Sequence, residues 1–502
     1  MRIEDVVDVA RRHHPVVVPE STLDRVRQAR AIVDAVLERG TPAYGLNTGL
    51  GAFSREAVPA DELERFAIAT VADQTASYGR QLPQDVVRAM MVTRANAMGA
   101  AGVGVRTELL QALVDLLNNG VHPIVREFGS VGESDIYEMA DIGKVLIGRG
   151  RAEFRGQVHD GARALELAGL RPIRLAPKEA LALISFNGIT IGSGSLVLHD
   201  ISELFANLQV AAALSLEGFR ANLSILHPAV ARARPHPGQL AASTGLTDLL
   251  AGSRLWTEAG PRNLQDPLSF RCIPQTHGAL HDVVSDAWRK MSLELNSACD
   301  NPLVVMDEHV IVSNGNFDVT VLALAFDTVR LALTATARMG AERVQKHLWS
   351  SFSDLTTYLS AGGTAFGGLR AVGRRCAALG AEARDLANPV AVNFSGQLAE
   401  GIEDHGNLAP LAVRRTHELV SLCHAMVAEE LVVAAEAVDL RGVELGAGTR
   451  VAYDLVRRHV PRVEDVTTWK PDMPGLVDLV AHGELARAVA AEAPRPDFSE
   501  RP

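Results

Sequence analysis

Phe128-Gly129-Ser130-Val131-Gly132-Glu133-Ser134-Asp135-Ile136 joins a turn-rich run, Val121-His122-Pro123-Ile124-Val125, to a helical pattern that begins near Tyr137. Two glycines and a serine ahead of a helix start make a backbone that approaches a ligand closely, with free N–H groups at the positive helix end. Glu133 and Asp135 set two carboxylates beside Ser134 at that terminus, where negative charge is favoured. Taken alone, the stretch also suits a capped loop-to-helix junction.

Toward the N-terminus, Leu23, Val26, Ala29, Ile32, Val33, Val36 and Leu37 form an apolar stripe at helical spacing, stopped by Gly40-Thr41-Pro42. Tyr44-Gly45-Leu46-Asn47-Thr48-Gly49-Leu50-Gly51 is too irregular for helix or strand. A tyrosine embedded in such a loop is a site candidate, because rigid scaffolds present function on loops. The loop has neither the GxGxxG spacing nor the strand–helix frame of a dinucleotide site. From about Ala60 to Asn118 the pattern is helical, with breaks at Ser77-Tyr78-Gly79 and Ala100-Ala101-Gly102. Asp73 and Gln74 are polar positions there, which a solvated face also explains.

Toward the C-terminus, Ala152-Glu153-Phe154 and Pro172-Ile173-Arg174-Leu175 read as short strands. Pro177-Lys178-Glu179-Ala180 starts a long helix that continues past Leu216, through the small residues Gly192, Ser193 and Gly194. The polar segment Leu264 to Gln275 precedes another helix, on which His277 and His281 share a face. Zinc there needs a further ligand, so ordinary packing is the reading for that pair and no metal is expected. Val304-Val305-Met306 and Val310-Ile311-Val312 flank Asp307-Glu308-His309 as a β-hairpin. Long helices follow to about Lys346, after the glycine-rich Ala361-Gly362-Gly363-Thr364 to about Leu386, and from Leu411 to Leu440. The loop from Ser395 to His405 ends in Ile402-Glu403-Asp404-His405, and a Pro-punctuated helical tip begins at Pro461.

The 502 residues are 47% hydrophobic and 22% charged, an ordinary globular mix, and only 5% aromatic, so Ala, Leu and Val carry most of the packing. A net charge of −11 argues against a nucleic-acid surface, and no Lys/Arg-rich run suggests an anionic membrane. The first residues lack the apolar region of a secretory signal, and no uninterrupted apolar run is read as membrane-spanning. Four separated cysteines form no CxxC pair, which points to a reducing cytoplasm. The expectation is a mainly α protein, a long-helix bundle whose charge-poor helices bury one another in an oligomer. Residues 1–175 are read as an N-terminal helical and loop region, 176–442 as the central bundle and 443–502 as the tip.

These loops together resemble the histidine/phenylalanine/tyrosine ammonia-lyase and aminomutase family over roughly residues 3 to 442. The resemblance implies a fumarase/aspartase-like homotetramer with active sites built from loops of three subunits. It also implies an electrophilic methylideneimidazolone made autocatalytically from an internal Ala-Ser-Gly. Tyr44 matches the family's catalytic base, and Gly129-Ser130-Val131-Gly132 the lead-in to the triad. Asn187 is similar to the asparagine that contacts the prosthetic group, with two extra residues ahead of it. Arg271, after Gln265-Asp266-Pro267, matches the arginine that holds the substrate carboxylate, and Gln275 closes that segment. Asn296 to Leu303, with Asn316 and Phe317, match the next motif, Glu403-Asp404-His405 the last, and Asp73 and Gln74 the pair that selects substrate side chains.

Where the family reads Ala-Ser-Gly-Asp, this chain reads Glu133-Ser134-Asp135. Ring formation requires the glycine nitrogen to attack the carbonyl of the first triad residue, a tight turn that the smallest residue permits. The group is therefore expected to be absent, leaving no cofactor. Leu268, Asp318 and Ile402 also replace a tyrosine, a histidine and a glutamine of the family. A tyrosine, with an ordinary pKa of about 10, cannot unaided take a hydrogen from a carbon that has no adjacent electron sink. The expected reaction is thus β-elimination, or its reverse conjugate addition, which within one molecule is a cyclisation. Its substrate is a small amino-acid-derived molecule carrying its own sink. Tyr44 is the base, Glu133, Ser134, Asp135 and Glu403 complete the catalytic set, and Asp73, Gln74, Asn187, Arg271, Gln275, Asn316 and Phe317 bind substrate. The alternatives are a conventional ammonia-lyase or aminomutase, and a catalytically dead binding or scaffold homologue.

Overall fold

The apolar stripe near the N-terminus forms the helix Glu20–Glu38, preceded by Ile3–Arg11. Ala29, Ile32, Val33 and Val36 pack with Leu46, Ala101 and Val304 into one buried cluster. A computed structural model describes residues 1–74, 76–257, 261–360, 367–394, 396–465, 467–492 and 498. The glycine-rich Ala361-Gly362-Gly363-Thr364 and the loop position Ser395 lie outside the described residues.

The chain forms two compact units, and the mainly α-helical expectation holds in both. One comprises Met1–His199, Arg289–Leu324 and Pro389–Val413; the other comprises Asp200–Trp288, Ala325–Asn388 and Arg414–Pro502. In the first, the helix Gln84–Gly99 is buried on nearly every side. The expected hairpin forms as Leu303–Val305 against Val310–Val312, with Val304 paired to Ile311. Strand Tyr78–Gln81 pairs antiparallel with Arg126–Phe128, which delivers the chain into the 128–136 stretch. Val121–Pro123, read as turn-rich, is a strand beside Arg151–Phe154.

The expected strand at Pro172 to Leu175 does not form. The other neighbour of Arg151–Phe154 is Gln157–Asp160, joined through Arg155 and Gly156, both at positive φ. Such a two-residue turn matches strand twist, so the local hairpin outcompetes the later segment.

The helix expected to run unbroken from Pro177 is also corrected. Glu179–Ile184 ends, Ser185 to Asn187 leave the helical path, and a π-helical turn at Ile189–Ser193 precedes Gly194–Phe219. Gly192 permits the backbone of that turn to approach Ala89 and Met90, where a methyl group would collide. Single π turns within helices often mark functional positions.

Two helical stretches, Glu179–Phe219 and Thr320–Leu348, are long and apolar enough to cross a membrane by length and composition, although polar residues interrupt both. The apolar window of the first is wholly buried within the protein and that of the second more than half buried. Tertiary packing accounts for such helices equally well.

In the second unit, Arg343 and Glu430 pair inside the bundle, with Arg343 Nε 2.6 Å from Glu430 Oε1 and the Ser215 hydroxyl 2.7 Å from the same oxygen. Phe219 and Phe270 stack beside them at 4.0 Å. His277 and His281 do share a helix face, packed edge-on against Phe205 at 6.2 and 5.7 Å. Burial holds both imidazoles neutral, His277 pushed down to about 3. Ala447–His459, Met473–Ala481 and Glu484–Val489 form the C-terminal helices.

Candidate active site

The 128–136 stretch is a tight, internally bonded turn. The Ser130 hydroxyl accepts the Gly132 N–H at 3.0 Å and donates to the Ser134 carbonyl at 3.2 Å. Gly132 has φ +98°, and a methyl group there would run into Asn407 Oδ1, so both backbone and approach require glycine. Ser134 also has positive φ. Its N–H donates to Asn187 Oδ1 at 3.1 Å, and its hydroxyl lies 3.2 Å from that of Ser185. The Asp135 N–H donates to the Phe186 carbonyl at 2.9 Å. The interruption in the helix after Ile184 thus supplies the partners that hold this turn.

Asp135 is fully buried behind the turn. Its Oδ2 accepts the N–H groups of Ile189 at 2.7 Å and Thr190 at 3.4 Å, donors that the break leaves without helical acceptors. Burial pushes its carboxyl up to about 6 against the pull of those bonds. Glu138, whose Oε1 accepts the Ser130 N–H at 3.0 Å, is pushed up to about 8 by burial and by Asp135. Asp135 is therefore placed as a structural anchor of the turn.

Glu133 occupies a different environment. Its backbone pairs with that of Asp318 as an isolated antiparallel bridge, which brings the two side chains together. His405 Nε2 lies 2.9 Å from Asp318 Oδ2 and 3.7 Å from Glu133 Oε1. The Asn407 amide donates to Glu133 Oε1 and to the Gly132 carbonyl, both at 2.9 Å. Burial, the Asp318 charge and a hydrogen bond with Asp318 push the Glu133 carboxyl up to about 8. Burial also opposes ionisation of Asp318, but bonds from the Thr320 N–H and hydroxyl, His405 and Glu133 outweigh it and hold that carboxyl low. The two carboxyls are thus pushed apart, Glu133 up and Asp318 down, the separation that divides acid and base roles within a pair. The donor atoms of Glu133, Asp318 and His405 lie within 4.8 Å of one another, close enough to share a cation as well as a proton.

Several expected residues border the same unit. Asn187 is fully buried, and its amide donates to the Phe317 carbonyl at 2.7 Å, linking the turn to the segment that carries Asp318. The Tyr44 hydroxyl accepts the Gly51 N–H at 3.0 Å. The short turns Gly51–Phe53 and Ala399–Gly401 pack together, so the Tyr44 loop adjoins the loop leading to His405. Glu403 pairs by backbone with Leu398 and has an exposed side chain. Asn316 is exposed as well. Asp73 is exposed at the end of helix Leu63–Ala72, and Lys144 Nζ donates to the Gln74 carbonyl and to Asp141. Arg271 and Gln275 belong to the other unit, where an Arg271 amino group donates to Gln265 Oε1 and Gln275 Oε1 is buried without a hydrogen-bond partner among the described residues.

Asn407 escaped the sequence reading, and Asp318 and His405 were noted there without a role. An asparagine two residues before the helix Ala409–Arg441 is visible as a capping residue, and its Oδ1 does accept the Ala409 N–H at 2.9 Å. Its reach to Glu133 crosses 274 positions and leaves no local signal.

The aromatic amino acid lyase family model matches residues 1–458. Histidine ammonia-lyase of Gloeobacter violaceus is 37% identical, covering 99% of this chain and 97% of that protein. Histidine ammonia-lyase of Alkaliphilus oremlandii is 34% identical over 97% of each chain. Among solved structures, the ergothioneine-degrading enzyme ergothionase from Treponema denticola, in complex with desmethyl-ergothioneine sulfonic acid, superposes with a TM-score of 0.92 at 30% identity, covering 97% of this chain and 98% of that one. Tyrosine aminomutase from Streptomyces globisporus gives 0.91 at 28% identity, covering 98% and 97%.

Proposed function

This chain belongs to the aromatic amino acid lyase family and is an enzyme of the carbon–nitrogen lyase class, and we propose that it works without methylideneimidazolone, on a substrate carrying its own electron sink. The bonding of the turn weighs against the prosthetic group. Closing the ring would carry the Asp135 nitrogen to the Glu133 carbonyl, but that N–H is bonded to Phe186 and the Asp135 side chain is buried against two amides. The Glu133 backbone is meanwhile paired with Asp318.

The observation that carries the reading is the pairing of Glu133 with Asp318 beside His405, at the turn where the family makes its electrophile; burial and Asp318 raise the Glu133 carboxyl, and its hydrogen bonds keep Asp318 low. In the elimination direction, Tyr44 takes a proton from the carbon next to the substrate carbonyl or equivalent sink. The electrons of that C–H bond form the new double bond. The β carbon–nitrogen or carbon–oxygen bond breaks, and the leaving atom keeps its pair and receives the Glu133 proton. Conjugate addition is the reverse, and becomes a cyclisation when nucleophile and acceptor share one molecule. The match to the family assigns the substrate carboxylate to Arg271, with Gln275 in the same segment, and the substrate side chain to Asp73 and Gln74. Asn316, Phe317 and Glu403 are the family-matched lining residues, while Asn187, expected to bind substrate, is buried with both polar atoms committed and holds the turn together with Ser134 and Asp135. A homotetramer in a reducing cytoplasm accords with the family and with the four free cysteines. The ergothionase likeness supports a substrate other than a plain aromatic amino acid.

A second reading, histidine ammonia-lyase chemistry, is favoured by the identity to enzymes of that name. A turnover panel separates the two: L-histidine, L-phenylalanine and L-tyrosine against β-amino carbonyl compounds and amino-acid-derived enones, with wild type and Tyr44→Phe. Turnover of the activated compounds alone, lost in Tyr44→Phe, supports the prosthetic-group-free reaction. Turnover of plain amino acids would overturn it, and no turnover anywhere would favour the binding or scaffold role.

A further inference from the structure

We propose that Asn407 is a positioning residue for Glu133, clamping its carboxyl against the turn in the orientation from which it donates a proton. The inference rests on the assignment of Glu133 as the acid. Asn407 is fully buried, and every polar atom of its side chain is committed. Its amide nitrogen bridges the Gly132 carbonyl and Glu133 Oε1 at 2.9 Å each, while its Oδ1 accepts the Ala409 N–H at 2.9 Å. The Leu408 N–H donates to the Val131 carbonyl at 2.9 Å, so backbone bonding holds the two segments together on the other side of Asn407. Gly132 completes the arrangement, since any Cβ there would displace the Asn407 amide. The Glu133 carboxyl is thus fixed from one side by a neutral donor and faced from the other by Asp318 and His405. Asp318 also faces Glu294, whose own carboxyl is raised by burial and by Asp318, and Asp135 lies buried two residues along the turn.

A helix cap alone would need only the Asn407 oxygen; the amide nitrogen is what engages Glu133. That division makes the two roles separable. Asn407→Ser keeps a capping acceptor but cannot reach Glu133. Asn407→Asp keeps both cap and shape and replaces the donor by a like charge. Each is made with and without Glu133→Gln, and thermal stability is followed from pH 5 to 10. The Glu133 titration is the difference between the paired curves. A donor hydrogen bond to the carboxylate favours ionisation, so its loss moves the midpoint upward from about 8 by roughly half to one pH unit in Asn407→Ser, and further in Asn407→Asp. A general loss of stability at every pH, with the midpoint unmoved in both variants, would reduce Asn407 to a cap and overturn the proposal. The series is repeated with EDTA. A midpoint displaced by chelation would assign the cluster to a cation and overturn it as well. Because the readout needs no substrate, the upward movement without turnover would sustain the clamp while removing the acid role.

Discussion

Glu133→Gln removes the one carboxyl at the turn that faces Asp318 while preserving its size and its contact with Asn407. In the folded protein this carboxyl is displaced from an ordinary 4.5 to about 8, first by burial and then by Asp318. A group whose folded pKa is raised contributes stability that is fully present below its unfolded pKa and is lost as pH rises through the folded one. For Glu133 the loss therefore spans about pH 4.5 to 8. At about 1.4 kcal/mol per pH unit the full displacement sets a ceiling of about 5 kcal/mol, and partial solvent screening of a half-buried group brings the expectation to about 2–3 kcal/mol. Unfolding entropy near 2.1 cal/mol/K per residue makes 1 kcal/mol worth about 1 °C in a chain of 502 residues. Differential scanning of both proteins from pH 5 to 9 should show the variant gaining about 2–3 °C on wild type across that range. Glu138 and Asp135, also raised by burial, are present in both proteins and cancel in the difference. A flat difference would mean that Glu133 is ionised throughout, and the proton-donor assignment would fail.

Tyr44→Phe should lower turnover of whichever activated substrate the panel identifies by at least about 10²-fold, the usual contribution of a general base, at a stability cost of about 1 kcal/mol for the lost Gly51 bond; equal rates would remove the tyrosine from the mechanism. Glu430→Ala strands Arg343 in the bundle interior and should cost about 3–5 kcal/mol in denaturant titrations, whereas a loss below about 1 kcal/mol would show that water relieves the charge. Asp135→Ala leaves the Ile189 and Thr190 N–H groups without their acceptor and should cost about 1–3 kcal/mol. Should it instead abolish turnover in a protein of wild-type stability, Asp135 would be part of the chemistry and not an anchor.

The helices were legible because their apolar spacing is local: Val26, Ala29, Ile32, Val33 and Val36 declare a buried face before any partner is known. The hairpin around Asp307 to His309 was legible for the same reason. The break at Ser185 to Asn187 was not, because an apolar run there reads as helix, and what interrupts it is a set of bonds to residues 51 to 54 positions upstream. The strand placed at Pro172 to Leu175 failed in competition with a two-residue turn at Arg155-Gly156. In the site, Glu133 and the altered triad stood out against the family pattern, but the distinct fates of Glu133 and Asp135 did not. Both are acids two positions apart; only the fold turns one toward Asp318 and His405 and the other onto the amides of a helix start. Asn407 shows the same limit, since sequence marks a cap and not the distant carboxyl that its amide holds.

Intact-mass spectrometry of the purified protein, read with its near-ultraviolet absorbance, tests the central claim most directly. If Glu133-Ser134-Asp135 remains an ordinary peptide, the mass equals that of the encoded chain and the spectrum contains only its aromatic residues. A mass lower by two water molecules, with a new chromophore, would mean that the prosthetic group forms despite the missing glycine and would contradict the account.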